Sequence, residues 1–329
     1  MNTRALPHGA AAGASAGRSA APRSRWAVAK RVLTVVFLAL VATLLVHHAR
    51  AVEWGEVWTA LRQMPARVLL AAGLLAAASH LLYSCFDLLG RNYTRHRLAA
   101  PMVMAVTFVS YAFNLNLGSL VGGVAFRYRL YSRLGLDSAR ITQVLSLSML
   151  TNWFGYLLLG GLVFALRPLP LPPDWKLQGT ALPVVGWALV ALALAWFALC
   201  LFSTRRSFRV RGRALLLPPA RMATLQLLMS CANWLLMAGV IYVLLQQQVA
   251  FPSVLAVLLL AAIAGVITHV PAGLGVLEAV FVALLWHQVP QTQLLAALLA
   301  YRAIYYLAPL LFALVLYPVL EARARHRAA

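Results

Sequence analysis

The feature that most constrains this chain is a series of long apolar segments separated by short basic loops. A helix of about 20 apolar residues is long enough to cross the hydrocarbon core of a bilayer. Hydrophobic residues make up 63% of the 329 residues and charged residues only 11%, which excludes the soluble classes of fold. The sequence therefore predicts an all-α polytopic membrane protein.

The chain divides into a transmembrane domain and two tails. Residues 1–29 are predicted to be a disordered basic cytoplasmic tail, 30–320 a single transmembrane domain, and 321–329 a second cytoplasmic tail. Between the first two apolar segments, Val52–Gln63 is predicted to be a short interfacial segment. The eight hydrophobic segments are Val32–Val46, Arg67–Gly90, Pro101–Phe126, Ile141–Leu166, Ala181–Phe202, Met222–Leu245, Pro252–Trp286 and Gln293–Leu320.

The distribution of basic residues predicts the orientation in the membrane. Of the 28 Lys and Arg residues, 22 lie in residues 1–31, in the C-terminal tail and in the loops at 91–97, 127–140 and 205–221. The loops at 50–67 and 167–176 together hold five. Because cytoplasmic loops carry the excess of Lys and Arg, both termini are expected in the cytoplasm of a bacterial inner membrane. The same distribution argues against nucleic acid as a partner.

Two of the apolar segments are predicted to be re-entrant helical hairpins. Pro101–Phe126 has cytoplasmic loops at both ends, yet it is too short to cross the membrane twice. It is expected to turn near Asn114–Gly123, while Pro252–Trp286 forms a second hairpin that enters from the opposite face. The prediction is about six full spans plus two hairpins, in inverted halves at about 30–166 and 181–320. Inverted repeats with broken helices are a transporter architecture.

The second hairpin carries the clearest signal for a break in a helix. Pro271 lacks an amide hydrogen and disfavours helix just before it. Gly273 and Gly275 permit backbone angles that a side chain forbids, so a second helix is expected to begin near Leu274. Glu278 then lies in its first turn, where a carboxylate suits the free amides. Broken backbone in a bilayer is tolerated where it is buried in protein or lines a cavity.

Three stretches carry a resemblance to a known family. They are Phe113–Gly123 followed by Phe126–Tyr131, Pro271–Ala279, and Tyr301–Pro309. In this order they resemble the signatures of the lysylphosphatidylglycerol synthase transmembrane-region family. The resemblance implies a membrane domain that moves an aminoacylated phospholipid between leaflets, while a separate cytoplasmic domain makes that lipid. The sequence ends about nine residues after Leu320, so a stand-alone member without the synthase domain is expected.

Few charged residues lie inside the predicted spans, and these are candidates for function. Arg302 either extends to the interface or pairs with an acid or a lipid phosphate, and Glu278 is the best acid for that pair. Asp87 lies seven residues after His80, on the same helical face, and is expected to pair with Arg91.

Other candidates flank the hairpin turns. Arg127 and Arg129 either hold a phosphate or act as ordinary positive anchors of the cytoplasmic face. Asn114 and Asn116 are expected to bond freed backbone groups at the turn. His269, like His80, is either a core histidine or a proton carrier. The predicted hinge and hairpin residues are Gly118, Gly122, Gly123, Pro271, Gly273 and Gly275.

The sequence carries no recognisable enzyme motif, and no catalytic residue, cofactor or metal is expected. Its extramembrane loops are too short to build a catalytic domain. The leading hypothesis is a lipid flippase or transporter that moves a phospholipid or lipid-linked headgroup without nucleotide hydrolysis. Its partners would be membrane lipids, anionic or aminoacylated or lipid-linked, and a homo-oligomer is left open. The alternatives are an integral-membrane enzyme or accessory subunit acting on lipid-linked substrates, and a non-catalytic membrane partner or regulator.

The predicted topology can be tested by labelling single cysteines with a membrane-impermeant reagent. Cysteines near positions 95, 135 and 210 are expected to react only from the cytoplasmic side, because basic loops stay inside. Cysteines near positions 58, 172 and 248 are expected to react from outside. Labelling of position 135 from outside would contradict the first hairpin and the inverted repeat with it.

Overall fold

The fold is a bundle of apolar helices, and the computed structural model describes it for residues 54–166, 181–203, 207–210, 213–268, 270 and 273–328. Within these residues, seven helices are long and apolar enough to cross a membrane. They are Ala66–Thr94, Ala100–Leu117, Ser138–Leu166, Ala181–Phe202, Ala220–Leu244, Phe251–Thr268 and Gln291–Arg323, with Val276–Leu285 as a shorter apolar helix. The predicted class, an all-α polytopic membrane protein, is confirmed.

Twelve α-helices, two strands and two π-helical segments make up the described chain. The α-helices are α1 Trp54–Arg62, α2 Ala66–Ser84, α3 Phe86–Thr94, α4 Ala100–Leu117, α5 Phe126–Arg133, α6 Ser138–Leu166, α7 Ala181–Phe202, α8 Ala220–Leu244, α9 Phe251–Thr268, α10 Val276–Leu285, α11 Gln291–Tyr301 and α12 Ala308–Ala328. The strands are β1 Ser207–Val210 and β2 Arg213–Leu216, and the π-helical segments are Ser119–Ala125 and Arg302–Leu307. Each π-helical segment continues directly into an α-helix, α5 and α12 respectively.

The first hairpin turns where the glycines predicted it. Gly118 has a φ of 85°, which ends α4, and the chain then returns along α4 through the first π-helical segment. The two limbs approach so closely at Gly122 that a Cβ there would lie 2.1 Å from the amide nitrogen of Asn114. Phe113 and Phe126 stack across the limbs with their ring centroids 4.2 Å apart. The turn is therefore as expected, while re-entry from the cytoplasmic face stays a prediction.

The second hairpin also breaks as the sequence predicts. Helix α9 ends at Thr268, and α10 begins at Val276 after Gly273 and Gly275, whose φ angles are 55° and 74°. Glu278 lies in the first turn of α10. The candidates His269 and Pro271 lie outside the described residues.

Buried apolar side chains form two large clusters in the described chain. One joins α8, α9, α10 and α11 through residues such as Ile241, Leu259 and Phe281. The other joins α4, α5, α6 and α12 and contains Val106 and Val144. The second hairpin thus packs on the first cluster and the first hairpin on the second.

The loop regions agree in part with the sequence. Helix α1 lies within the predicted interfacial segment, and Val57 packs it against α11, while its place at the membrane interface stays a prediction. The basic stretch at 205–221 was expected to be only a loop, but it holds β1 and β2, which pair antiparallel from Ser207 with Leu216 to Val210 with Arg213. Phe208 and Val210 alternate with Arg209 there, which is the period of a strand. The predicted tail and the span at 32–46 lie outside the described residues, so the domain division and the inverted halves stay predictions.

The close approach at Gly122 predicts a strong effect of a single methyl group. Gly122→Ala would force the Asn114 backbone away, so we expect the free energy of unfolding to fall by about 3 kcal/mol. Gly265→Ala is the matched control, because a Cβ at Gly265 in α9 meets no atom within 4 Å. Thermal unfolding of the purified variants in detergent measures both. Equal stability of the two variants would contradict the packing of the first hairpin.

Candidate functional site

The candidate site lies where the broken second hairpin meets the start of the second π-helical segment. Arg302 donates from Nε to Oε1 of Glu278 and from Nη2 to Oε2, the latter at 3.1 Å, which makes the contact bidentate. Its Nη2 also donates to the carbonyl of Gly273 at 2.8 Å. Of the two alternatives for Arg302, the structure thus supports pairing with Glu278.

The local sequence explains why these groups meet. The φ of 55° at Gly273 is incompatible with an α-helix, so its carbonyl is not part of the hydrogen-bond ladder of α9 or α10. The π-helical geometry from Arg302 to Leu307 inserts an extra residue per turn, which turns the side chains away from an α-helical register. Arg302 is the first residue of that segment and reaches the open carbonyl. Its guanidinium also lies 5.1 Å from the ring of Tyr306.

The Glu278–Arg302 pair is mostly buried, which makes it sensitive to substitution, but part of each side chain is exposed. The side chains of Arg302 and Glu278 are 11% and 17% exposed. A charge pair in a medium of low polarity loses its compensation when one partner is removed. Part of each side chain nevertheless remains in contact with the surroundings.

A second ion pair lies at the first hairpin, and its side chains are more deeply buried than those of Glu278 and Arg302. Arg127 donates from Nε to Oδ2 of Asp87 at 3.0 Å, with side chains only 3% and 0% exposed. Arg127 also donates from Nη1 to the carbonyl of Gly123 at 3.2 Å. The hydroxyl of Tyr131 donates to the same Asp87 oxygen at 2.9 Å. This pair is held inside the protein.

The expected pairing of Asp87 with Arg91 is wrong. Arg91 donates from Nε to the carbonyl of Leu98 at 2.7 Å, across the loop that follows α3. The first hairpin brings Arg127 against α3 instead, and this distant partner replaces the nearer one. Neighbouring position in the sequence was therefore a poor guide to the partner.

Arg129 points to a different environment from Arg127. Its Nε donates to Glu321 at 2.7 Å, and Arg133 lies 3.6 Å from the same carboxylate oxygen. Arg129 is 54% exposed, so this contact belongs to the surface. A role for Arg127 or Arg129 in phosphate binding stays a prediction, and each guanidinium already has a carboxylate partner.

The two asparagines of the first hairpin take different positions. The carbonyl of Asn114 accepts from the Gly118 amide at 2.9 Å, at the turn itself. Asn116 donates its Nδ2 to the carbonyls of Ala112 at 2.8 Å and Tyr306 at 3.2 Å. The expectation that these residues bond backbone groups is confirmed for Asn116. Its bond to Tyr306 joins the first hairpin to the segment that begins with Arg302.

A buried polar network behind the site was not found from the sequence. Ser79 lies 2.8 Å from Oδ1 of Asn233, to which it donates, and 2.7 Å from the Tyr305 hydroxyl. The Tyr305 hydroxyl lies 3.1 Å from that of Tyr111. A buried Asn in an apolar span is the one signal that pointed here, since such residues seek hydrogen-bonding partners.

Aromatic contacts continue this network toward the Asp87–Arg127 pair. Tyr111 stacks on Tyr83 with ring centroids 3.5 Å apart, and the Arg127 guanidinium lies 6.0 Å from the Tyr83 ring. On the other side, Tyr305 stacks on Tyr301 at 5.2 Å. Polar and aromatic side chains thus connect the neighbourhoods of the two hairpins.

Metal binding finds no support within the described residues. No three side chains of His, Cys, Asp or Glu come together there as a group that could hold an ion. Glu278 and Asp87 each face an arginine, and His80 lies among aromatic rings.

Comparison with known proteins identifies the family. The family described as the lysylphosphatidylglycerol synthase TM region matches residues 28–313. The chain belongs to this family. The match covers both hairpins and the Glu278–Arg302 pair.

The similar proteins differ in how much of their own length this chain covers. Inner membrane protein YbhN from Escherichia coli K12 is 46% identical over 92% of this chain and 95% of its own length. The protein slr0712 from Synechocystis is 32% identical over 78% of this chain and 80% of its own. A phosphatidylglycerol lysyltransferase from Staphylococcus haemolyticus is 25% identical over 86% of this chain, which spans only 33% of that enzyme.

The contact between Glu278 and Arg302 predicts a non-additive effect on stability. Glu278→Gln and Arg302→Gln should each lower the free energy of unfolding by about 2 kcal/mol, because each leaves a partly buried charge without its partner. The double variant should lose less than the sum by about 1 kcal/mol or more. Chemical denaturation of the four proteins in detergent measures the coupling.

The surface pair of Asp137 and Arg140 is the control for this cycle. Its side chains are 56% and 54% exposed, so Asp137→Asn and Arg140→Gln should each change the free energy of unfolding less than the Glu278 and Arg302 variants do, and should add in the double variant. Strict additivity at Glu278 and Arg302 as well would mean that the two side chains act separately.

Proposed function

We propose that the protein is a lipid flippase or transporter that moves a phospholipid or lipid-linked headgroup between the leaflets without nucleotide hydrolysis. The observation that carries the proposal is the partly exposed, bidentate pair of Glu278 and Arg302 at a broken helix. Broken helices near the middle of a membrane are where transporters place their binding sites.

The pair suits a headgroup that carries both signs of charge. A phosphate can take the guanidinium of Arg302, because two parallel N–H donors match two phosphate oxygens. An amine on the same headgroup can take the carboxylate of Glu278. The lipid then replaces both halves of the ion pair, so neither protein charge is left without a partner as the pair separates.

The surroundings of Arg302 would keep it in position during this exchange. The Gly273 carbonyl and the Tyr306 ring hold the guanidinium independently of Glu278. Glu278 stands on α10, whereas Arg302 and Tyr306 belong to the second π-helical segment. A movement of α10 relative to that segment would therefore open the pair while Tyr306 stays beside Arg302.

This assignment gives Arg302 the role of phosphate host in preference to Arg127. The Arg127 side chain is sealed in the protein with Asp87 and Tyr131, so a headgroup would have to break a buried network to reach it. In our proposal Arg127 stabilises the first hairpin, whose Asn116 contacts the segment that holds Arg302.

The relatives support the class of substrate and the location. Proteins named phosphatidylglycerol lysyltransferases share this membrane region, so an anionic or aminoacylated phospholipid is the proposed cargo. The relative named an inner membrane protein supports a bacterial inner membrane. The basic loops favour cytoplasmic termini.

A transfer assay in liposomes tests the proposal. Purified protein is reconstituted with headgroup-labelled lipids in the absence of nucleotide, and a membrane-impermeant quencher reports which leaflet holds the label. We expect faster transfer of at least one anionic or aminoacylated phospholipid than in empty liposomes. Glu278→Gln should slow that transfer about tenfold, which corresponds to about 1.4 kcal/mol in the barrier.

Two controls separate the site from general damage to the protein. Asp137→Asn removes a carboxylate from the surface pair of Asp137 and Arg140 and should leave the transfer rate unchanged. Arg302→Lys keeps the charge but loses the bidentate geometry, and it should slow phosphate-bearing lipids. Failure of every lipid in a broad panel to move faster than in empty liposomes would rule out the flippase, leaving a role as an enzyme or partner.

A further inference from the structure

A groove of about 730 Å³ lies on the side of the bundle between α2, α4, the second π-helical segment and α12. All but two of its lining side chains are apolar or glycine, and several are small, such as Ala76, Ala77 and Ala105. The two polar residues are His80 and Ser84. The outer faces of the flanking helices carry exposed apolar side chains, including Leu81 and Phe312.

The depth of this groove along the membrane-spanning helices indicates what covers it. His80 lies 14 residues into α2, roughly 21 Å along the helix, within a span long enough to cross the bilayer. At that depth the surroundings are hydrocarbon. We therefore expect the hydrocarbon chain of a lipid to fill this groove, whose walls are formed by alanines, Ile304 and Phe312.

His80 gives the groove its chemical selectivity. Its Nε2 lies 3.1 Å from the carbonyl of Tyr305, and a carbonyl only accepts, so Nε2 carries the hydrogen. Nδ1 is then an acceptor, and it is buried without a hydrogen-bonding partner in the described part of the chain. Ser84 does not serve it, because its hydroxyl donates to the His80 carbonyl at 2.7 Å.

The chemistry of the group that would satisfy Nδ1 is restricted. It must donate a hydrogen bond, which excludes an ester carbonyl or an ionised phosphate. It must also be neutral, because no charged side chain is among those that line the groove, and an unpaired charge at this depth is costly. A hydroxyl meets both conditions.

We propose that this groove binds a lipid alcohol, with the hydrocarbon chain along α2 and the last helix and the hydroxyl donating to Nδ1 of His80. Diacylglycerols and polyprenols both have this chemistry. The site shares no lining residue with the Glu278–Arg302 pair, so this inference does not depend on the proposed transport.

Photolabelling of the full chain in phospholipid nanodiscs tests the binding. The probes are a photoreactive diacylglycerol, a photoreactive polyprenol, and the methyl ether of each, with labelled peptides identified by mass spectrometry. At least one alcohol should label the groove about three- to tenfold more than its ether, as one hydrogen bond predicts. The preferred probe identifies the kind of lipid. Equal labelling by alcohol and ether for both lipids, or labelling spread over other faces, would overturn the proposal.

Three variants test whether the labelling depends on His80 and on the space in the groove. His80→Phe keeps an aromatic ring beside Phe108 and Tyr111 but removes both ring nitrogens, so the preference for alcohol over ether should disappear while ether labelling persists. Ala77→Trp fills the groove and should reduce labelling by every probe, whereas Val184→Trp on the exposed face of α7 should not. Persistence of the alcohol preference in His80→Phe, or full labelling of Ala77→Trp, would also overturn the proposal.

Discussion

A helix that breaks inside a membrane exposes backbone carbonyls where no water can hydrogen-bond to them. In this protein, arginine side chains donate hydrogen bonds to such carbonyls. Arg302 donates to the carbonyl of Gly273 in the second hairpin, and Arg127 donates to that of Gly123 in the first. Each arginine brings a charge that needs a carboxylate in turn. The scarce acids in the spans, Glu278 and Asp87, are the ones that supply it.

The two pairs use the same chemistry to different ends. Asp87 and Arg127 are sealed from the surroundings and receive a further hydrogen bond from Tyr131, which suits a fixed support. Glu278 and Arg302 keep part of their surface exposed, and they stand on two different elements after the break, α10 and the second π-helical segment. The difference in burial, more than the identity of the residues, separates the pair we assign to function from the pair we assign to architecture.

Local features of the fold could be predicted from the sequence because local chemistry produces them. The turn at Gly118, the break before Val276 and the place of Glu278 follow from Gly and Pro within a few residues. The partner of Asp87 could not, since Arg127 is 40 positions away and reaches it only after the hairpin has folded back.

The hydrogen-bonded network behind the site escaped prediction for a related reason. Ser79 and Asn233 stand on different helices, and a polar residue in an apolar span indicates that it has partners without indicating which. The π-helical segments were also missed, because one additional residue per turn leaves no clear mark in an apolar pattern. Arg302 could be singled out from the sequence, but the geometry that directs it to Gly273 could not.

The bond from Asn116 to the Tyr306 carbonyl has a mechanical consequence. It ties the tip of one hairpin to the segment that anchors the other, so any displacement of the first hairpin either breaks this bond or carries the second π-helical segment with it. This hydrogen bond therefore couples the movement of one hairpin to the movement of the other.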